Sequence, residues 1–479
     1  MAQEVEASGG AEKDQDGEAA RSLVTFRLDM EPREFAQQQF EFVDKLARAV
    51  DLPQSDIEIL GYRPGCVNVD VVMPSVAAKE IEAKQRDGTD LSPAAAEFLR
   101  SLRVTKITPQ GAPFSEAVIN VRRPGREFTW LHLSDIHLQD AAGSDRYPQD
   151  EVREKFLERV SVCMADFDLR PDVVFVTGDV TQSAEPTQFD VALRFLQDLR
   201  AALPNQNAPV MLVPGNHDVF RGAITDDPAD LANEERARKE LKGHLMVRDL
   251  LQNPAQKPWR DSLFKRTGNA DAFLKQIASL GQPARNHEFF FTTVFEHEEA
   301  KIGVAGLNSA WRSSHLGDRY HLMLTSQQMD TALKDLRSAH LRIALVHHPV
   351  QTDWFEVNDA ARQRLVLDAF HFVLRGHEHD PHVLAIGTGE GDQIRIAAGA
   401  LYSHDDYPNS FNAVRVNLDW GTAAAYFWRF SERNLEWVID TENFPRLGSR
   451  QFALPLTARE RLGVSSAEPA QVVQRQASR

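Results

Sequence analysis

Apolar and polar positions alternate in two registers along this chain, and the register changes near residue 128. In the first part, Val24, Phe26 and Leu28 alternate with polar residues, the period of a half-buried strand. Phe35, Phe42, Val43, Leu46 and Val50 then recur at helical spacing. Ile57 and Ile59 begin a second strand, and Val67, Val69 and Val71 alternate with Asn68 and Asp70 in a third. A helical stretch opens at Pro74-Ser75 and runs to Leu102, and Val104 to Ile107 is a last strand. The order β-α-β-β-α-β predicts a small ferredoxin-like module over residues 22–108. Residues 1–21 offer little to bury and read as a disordered tail, and the Pro- and Gly-punctuated stretch 109–126 reads as a linker.

From Phe128 onward, short apolar runs alternate with helical faces. Trp130 to Leu133, Val173 to Val176, Val210 to Val213, Ile343 to Val346 and Phe372 to Leu374 are the runs. Such unbroken apolar strands between helices predict an α/β core whose strands are covered on both faces, so the fold class is α/β. A charged helical insertion is expected at about 219–285, a hairpin over 289–307, and an antiparallel portion after His382. The main domain is thus placed at 127–447, and residues 448–479 read as a mobile C-terminal tail.

Composition narrows the picture. The formal net charge is −16, from 54 basic and 70 acidic residues, which disfavours sequence-independent gripping of nucleic acid. The two cysteines, Cys66 and Cys163, are read as free buried thiols in a reducing compartment. The chain opens with no basic segment followed by an apolar one, so no signal peptide is expected. No apolar run approaches the roughly 18 residues of a membrane span. A cytoplasmic location is expected.

The chemistry lies in five blocks, each directly after an apolar run: Asp135-Ile136-His137, Gly178-Asp179, Gly215-Asn216-His217-Asp218, His347-His348-Pro349 and Gly376-His377-Glu378-His379. In α/β sheets, sites form beyond the carboxyl ends of strands, which is where all five fall. A phosphoester nucleophile at neutral pH can be made by lowering the pKa of metal-bound water, with two ions neutralising the phosphoryl oxygens. Such a site needs a bridging carboxylate with neutral N and O ligands, and Asp135, His137, Asp179, Asn216, His347, His377 and His379 are a sufficient set. Imidazole with carboxylate suits Mn, Fe, Zn, Ni or Co. The i, i+2 spacing within the first and last blocks is expected to aim each pair to one side of an extended segment. Glycines at 178, 215 and 376 let backbone and ligands crowd together.

Taken in order, the blocks D-x-H, G-D, G-N-H-D, H-x-P and G-H-x-H resemble those of the calcineurin-like metallophosphoesterases, over roughly residues 127–440. The resemblance implies a four-layer α/β sandwich with a bimetal centre. It implies that Asp135, His137, Asp179 and His379 hold the first metal, and that Asp179 as bridge, Asn216, His347 and His377 hold the second. His217 would contact phosphate and protonate the leaving oxygen, with Asp218 a candidate to orient it. The stretch Gly178-Asp179-Val180-Thr181-Gln182-Ser183-Ala184 lacks the Asp-Arg pair of the related protein Ser/Thr phosphatases. Leu131-His132-Leu133-Ser134-Asp135 and Gly306-Leu307-Asn308-Ser309-Ala310-Trp311 look more like bacterial cyclic-nucleotide-type phosphodiesterases. The first motif is also similar to that of double-strand-break repair nucleases, which keeps DNA or RNA as an alternative substrate.

Other residues have plainer readings. His132 is read as a core histidine, His348 as pointing away from the ligands, and His382 and His404 as surface residues. Arg375 is read either as a phosphate contact or as one half of a structural ion pair. Trp259 and Phe264 are read as local core, and Asn233 to Lys242 as a solvated helix face. The expected function is hydrolysis of a small phosphodiester, a nucleotide for preference. The alternatives are a metal-dependent nuclease, or an effector or scaffold whose residues 22–108 recruit a protein partner or a second copy.

Overall fold

Val24 and Phe26, two residues apart on β1 (Arg21–Leu28), are both fully buried, as a strand with one covered face requires. β1 lies between β3 (Val67–Pro74) and β4 (Val104–Pro109), and β2 (Glu58–Arg63) flanks β3. All three pairings are antiparallel and the order is β2-β3-β1-β4, the arrangement of a split β-α-β module. Phe42, Leu46 and Ala49 are buried on a helix over residues 42–49, and Val50 is buried just beyond its end. The second helical stretch of this module lies outside the described residues. The computed structural model describes residues 21–28, 42–52, 57–63, 67–74, 77, 104–109, 126–140, 146–283, 287, 289–314, 317–350, 354–356, 370–388, 391–403, 408–419, 421–444 and 449–464. By its contacts the chain divides into one unit of Met1–Pro124 with Ala467–Arg479, and a second of Gly125–Ser466.

The second unit is built on two sheets. One has the order β16-β15-β14-β5-β6-β7, with β17 also paired to β15. Here β5 is Glu127–Leu133, β6 Val173–Val176, β7 Val210–Leu212, β14 Ser410–Asn417, β15 Thr422–Ser431, β16 Glu436–Ile439 and β17 Ser449–Ala453. The other has the order β12-β13-β11-β10-β9-β8. Its strands are β8 Phe291–His297, β9 Ala300–Gly306, β10 Leu341–Leu345, β11 Phe372–Arg375, β12 His382–Thr388 and β13 Gly391–Ala397. β5, β6 and β7 run parallel, as do β9, β10, β11 and β13; antiparallel strands form both edges of the second sheet and the β16 edge of the first, whose other edge is the parallel β7.

Strand periodicity assigns each side chain to a layer. On β5, Phe128 and Trp130 enter the core between the sheets, while Leu131 and Leu133 enter the core beneath the helices Arg146–Ala165 and Pro186–Ala202. On β10, Leu341, Ile343 and Leu345 face the other sheet, and Ala344 packs toward the helix Ser326–Asp335. The result is helix, sheet, sheet, helix: the four-layer α/β sandwich expected from sequence. The apolar runs are continuous because both faces of each central strand are buried.

Two readings change. Residues 449–464 do not form a tail: β17 pairs with β15, and Phe452, Leu454 and Ala458 close one end of the inter-sheet core. The polar Ser449, Arg450 and Gln451 beside them hid that signal. The stretch 233–242 is not simply solvated, because Glu234 is buried and pairs with the buried Arg266. Trp259 and Leu263 do form a local core of the insertion, with Phe264 packed against it. Among the described residues, no helix is long and apolar enough to cross a membrane.

Candidate metal centre

All five motifs sit at the carboxyl ends of parallel strands: β5, β6 and β7 in one sheet, β10 and β11 in the other. Backbone bonds lock the loops together there. The N–H groups of Ile136 and His137 both donate to the Asp179 carbonyl, at 2.8 and 2.9 Å, and the Gly376 N–H donates to the His347 carbonyl at 3.1 Å. The side chains do not converge through extended backbone as the i, i+2 spacing suggested. Asp135, His137 and Asp179 each have φ of 51°, and His377 and His379 have 75° and 57°. This left-handed conformation costs a non-glycine residue about 1–3 kcal/mol, and Asp and His are among the types found there most often. A side chain at Gly215 would fall on the Asp179 carboxylate, and one at Gly376 would fall on Ser134 and Asp135. Both glycines are required by that closeness.

The donor atoms form overlapping groups, among them Asp135–His137–His379, Asp135–Asp179–His347 and His137–Asp179–His217. His379 Nε2 lies 3.3 Å from Asp135 Oδ1 and 3.4 Å from His137 Nε2. His347 Nε2 lies 3.1 Å from Asp179 Oδ2, 3.0 Å from Asn216 Oδ1 and 3.2 Å from His377 Nδ1. Ligand atoms about 3.0–3.4 Å apart are the edges of a polyhedron around an ion with bonds of about 2.0–2.2 Å. His347 Nδ1 donates to the Thr177 carbonyl at 2.7 Å, which turns Nε2 toward Asp179, Asn216 and His377. The residues present therefore fit divalent ions.

Electrostatics follow from burial and proximity. Burial opposes ionisation of Asp135, yet its hydrogen bond with His379 and the charge of His347 hold its carboxyl down to about 2. Burial likewise opposes ionisation of Asp179, and His347 holds it well below the ordinary carboxylate range. Burial pushes His137 down to about 4 and His377 down to about 3. Burial would lower His347 as well, but Asp179, Asp135 and the Thr177 carbonyl together push it up to about 9. Two ionised carboxylates buried side by side are a strong draw for cations.

His217 packs edge-on against His137, with centroids 4.8 Å apart. Its Nδ1 is bonded to the Gln182 carbonyl at 2.7 Å, and its backbone N–H donates to Asp179 Oδ1 at 2.7 Å. Asp218 does not orient that ring. Its carboxylate accepts from the N–H groups of Thr181 and Gly215 at 2.9 Å each, from Val180 N–H at 3.3 Å, and from the Thr181 hydroxyl at 2.9 Å. It staples the loop after β6 to the loop after β7. Burial and the neighbouring Asp179 push this carboxyl up to about 6.

The plainer readings mostly hold. His132 is fully buried with Nε2 3.0 Å from the Thr177 hydroxyl, and Arg375 is paired with Glu378 at 2.8 Å. His382 is half-buried beside the Arg375 guanidinium, and His404 and Cys66 lie outside the described residues. Cys163 is a free buried thiol, pushed up to about 12 by burial. His348 is the exception, since it does not point away from the ligands: it is fully buried, a ring nitrogen groups with those of His347 and His377, Nδ1 meets the Ser309 hydroxyl at 2.8 Å, and Nε2 has no hydrogen-bond partner. Two participants were missed: the Gln182 carbonyl, invisible to residue-type reasoning, and Trp354, whose ring stands edge-on to His377 with centroids 4.4 Å apart.

Comparison with known proteins adds to this geometry. The DNA double-strand break repair protein Mre11 of Methanococcus maripaludis is 30% identical over 106 residues, 21% of this chain and 26% of that protein. An uncharacterized protein of Acanthamoeba polyphaga mimivirus is 29% identical over 90 residues, 18% of this chain and 6% of that one. The matched segments thus span about a quarter or less of these relatives' lengths. Among solved structures, a Vps29 single mutant from Entamoeba histolytica is 12% identical with a TM-score of 0.27, covering 68% of this chain and 99% of that one. A predicted phosphoesterase from Streptococcus pneumoniae is 14% identical with a TM-score of 0.24, covering 68% and 98%. The model of the calcineurin-like phosphoesterase family matches residues 128–381, a segment that holds all five motifs. That segment is more than half of the chain, which therefore belongs to the calcineurin-like phosphoesterase family.

Proposed function

We propose that this chain is a phosphodiesterase that uses two divalent ions and acts on a nucleotide or another small phosphodiester. In this reading Asp135, His137, Asp179 and His379 hold one ion, and Asp179, Asn216, His347 and His377 hold the other. The observation that carries it is the place of Asp179, whose carboxylate belongs both to the group with His137 and His217 and to the group with Asp135 and His347. A buried carboxylate shared by two clusters is what a pair of ions needs as a bridge. When bound, such ions lower the pKa of water and neutralise phosphoryl charge.

The remaining work belongs to the protein's own groups. His217 is held through Nδ1 by the Gln182 carbonyl, which leaves Nε2 to carry the exchangeable proton. That proton goes to the departing ester oxygen, the role of a general acid. Asp218 keeps the two loops that carry Asp179, Asn216 and His217 in register.

The test is hydrolysis of bis-p-nitrophenyl phosphate beside p-nitrophenyl phosphate, after metal is stripped and Mn, Ni, Zn, Fe or Co is restored. Faster cleavage of the diester is expected, and preference for the monoester would overturn the assignment. The local similarity to Mre11 favours a second reading, a nuclease acting on DNA or RNA. The acidic balance of −16 weighs against it. Cleavage of oligonucleotides at a higher kcat/KM than mononucleotide diesters would establish that second reading.

A further inference from the structure

The metal residues account for one flank of the site only in part. Beyond His347 and His377 stands Trp354, half-buried and edge-on to His377 at 4.4 Å. Its ring lies 6.1 Å from that of the buried His348. The guanidinium of Arg319, an exposed residue, sits over the indole at 5.1 Å. Two separate segments are needed to bring this pair together, and the backbone ties them. The N–H groups of His321 and Leu322 donate to the Trp354 carbonyl at 3.2 and 3.1 Å, and the Glu356 N–H donates to the Leu322 carbonyl at 2.9 Å. Leu322 and Phe355 form an isolated parallel bridge. Their side chains are buried in the outer core against the helix Ser326–Asp335, which anchors the pair from behind.

From the substrate's side, this is a flat polarisable ring and a fixed positive charge held directly against a residue of the metal cluster. Apolar packing alone does not call for an indole capped by an exposed arginine. Nearby, His348 Nε2 is fully buried without a hydrogen-bond partner, an unmet polar group beside the same ring. Aromatic rings bearing a guanidinium are surfaces on which nucleobases stack irrespective of sequence. The flank is also distinct from that of His217, which packs against His137. The group that departs toward His217 and the group that stays on the phosphorus would thus meet different walls.

We propose that Trp354 and Arg319 form the subsite for the retained arm of the substrate, and that this arm is a nucleoside. The inference rests on the phosphodiesterase reading and names its substrate class. Trp354 is a specificity residue here, in contact with His377 but without a part in the bond-breaking step.

The experiment compares two diesters with the same leaving group, the p-nitrophenyl ester of thymidine 5′-monophosphate and methyl p-nitrophenyl phosphate. The full chain is used with whichever metal gives the fastest hydrolysis. The wild type is expected to prefer the nucleoside ester by at least about tenfold in kcat/KM. W354L should reduce that preference by about tenfold, through KM rather than kcat, W354F should restore most of it, and R319Q should reduce it severalfold. Absence of a wild-type preference, or an equal loss on both esters in W354L, would overturn the subsite. If neither ester is hydrolysed, the phosphodiesterase reading fails on its own. Calorimetric titration with thymidine 5′-monophosphate and with inorganic phosphate then decides the subsite. Tighter binding of the nucleotide that W354L abolishes upholds it, and equal binding of the two overturns it.

Discussion

Replacing Asp218 tests whether this carboxylate works through the backbone or through the ring of His217. Its two oxygens accept four hydrogen bonds, from Val180, Thr181 and Gly215 N–H and from the Thr181 hydroxyl. Asp218→Ala leaves three buried N–H donors without an acceptor. Each costs about 1–3 kcal/mol, and partial relief by water leaves a total of about 3–6 kcal/mol. Against a domain stability of about 5–15 kcal/mol, that is a large share. Asp218→Asn keeps one acceptor oxygen but turns an amide NH2 toward backbone donors, for a cost of about 2–3 kcal/mol. Charge is not the main loss, because burial and Asp179 already push this carboxyl up to about 6. Urea unfolding of the metal-free protein gives the stability, and elemental analysis after metal loading gives the occupancy. Both variants should lose stability and occupancy together, since the stapled loops carry Asp179 and Asn216. A D218N protein with wild-type unfolding and full occupancy, defective only in kcat, would refute the staple and return Asp218 to the role of orienting His217.

His217→Ala should keep its metal and lose about 10²–10⁴-fold in kcat, as removal of a general acid does; undiminished turnover would take His217 out of the reaction. Asp179→Asn should fail to retain metal under dialysis that leaves the wild type loaded, and full occupancy would defeat the shared-carboxylate reading. Acid should destabilise the fold through His371, a buried group that burial pushes down to about 3 and whose Nδ1 accepts from Arg342 N–H at 3.0 Å. The unfolded chain takes up this proton first, so the folded state loses ground as pH falls below about 6.5, by about 2 kcal/mol at pH 5, and the residue contributes nothing above that pH. Urea titrations of His371→Gln and the wild type from pH 7 to pH 4.5 should diverge on that account; parallel curves would show that His371 is already protonated in the fold.

Strand content was legible because the central strands are buried on both faces and leave unbroken apolar runs such as Val173 to Val176. Site residues were legible because side-chain chemistry does the recognition and each block follows such a run. Failures have a common origin in backbone. Asp218 looked like a partner for its sequence neighbour, yet its acceptors are spent on N–H groups up to 38 residues away. What holds the His217 ring is a carbonyl, which Gln182 shares with every other residue type. Glu234 sits in a stretch of mixed charge that reads as solvated, and only the tertiary fold brings the buried Arg266 to it. The last strand carries Ser449, Arg450 and Gln451, and its apolar contribution is confined to Phe452, Leu454 and Ala458 nearby.

The left-handed backbone at Asp135, His137, Asp179, His377 and His379 has a consequence for how variants of this site are interpreted. An alanine scan changes two things at once there. It deletes a donor atom, and it replaces a residue type that tolerates this conformation comparatively well with one that tolerates it less. Part of any deficit in an alanine variant would thus be conformational and unrelated to chemistry. Asparagine tolerates the same dihedrals, and glycine adopts them freely. A paired asparagine and glycine series, rather than alanine, therefore separates the ligand's contribution from the scaffold's at these five positions.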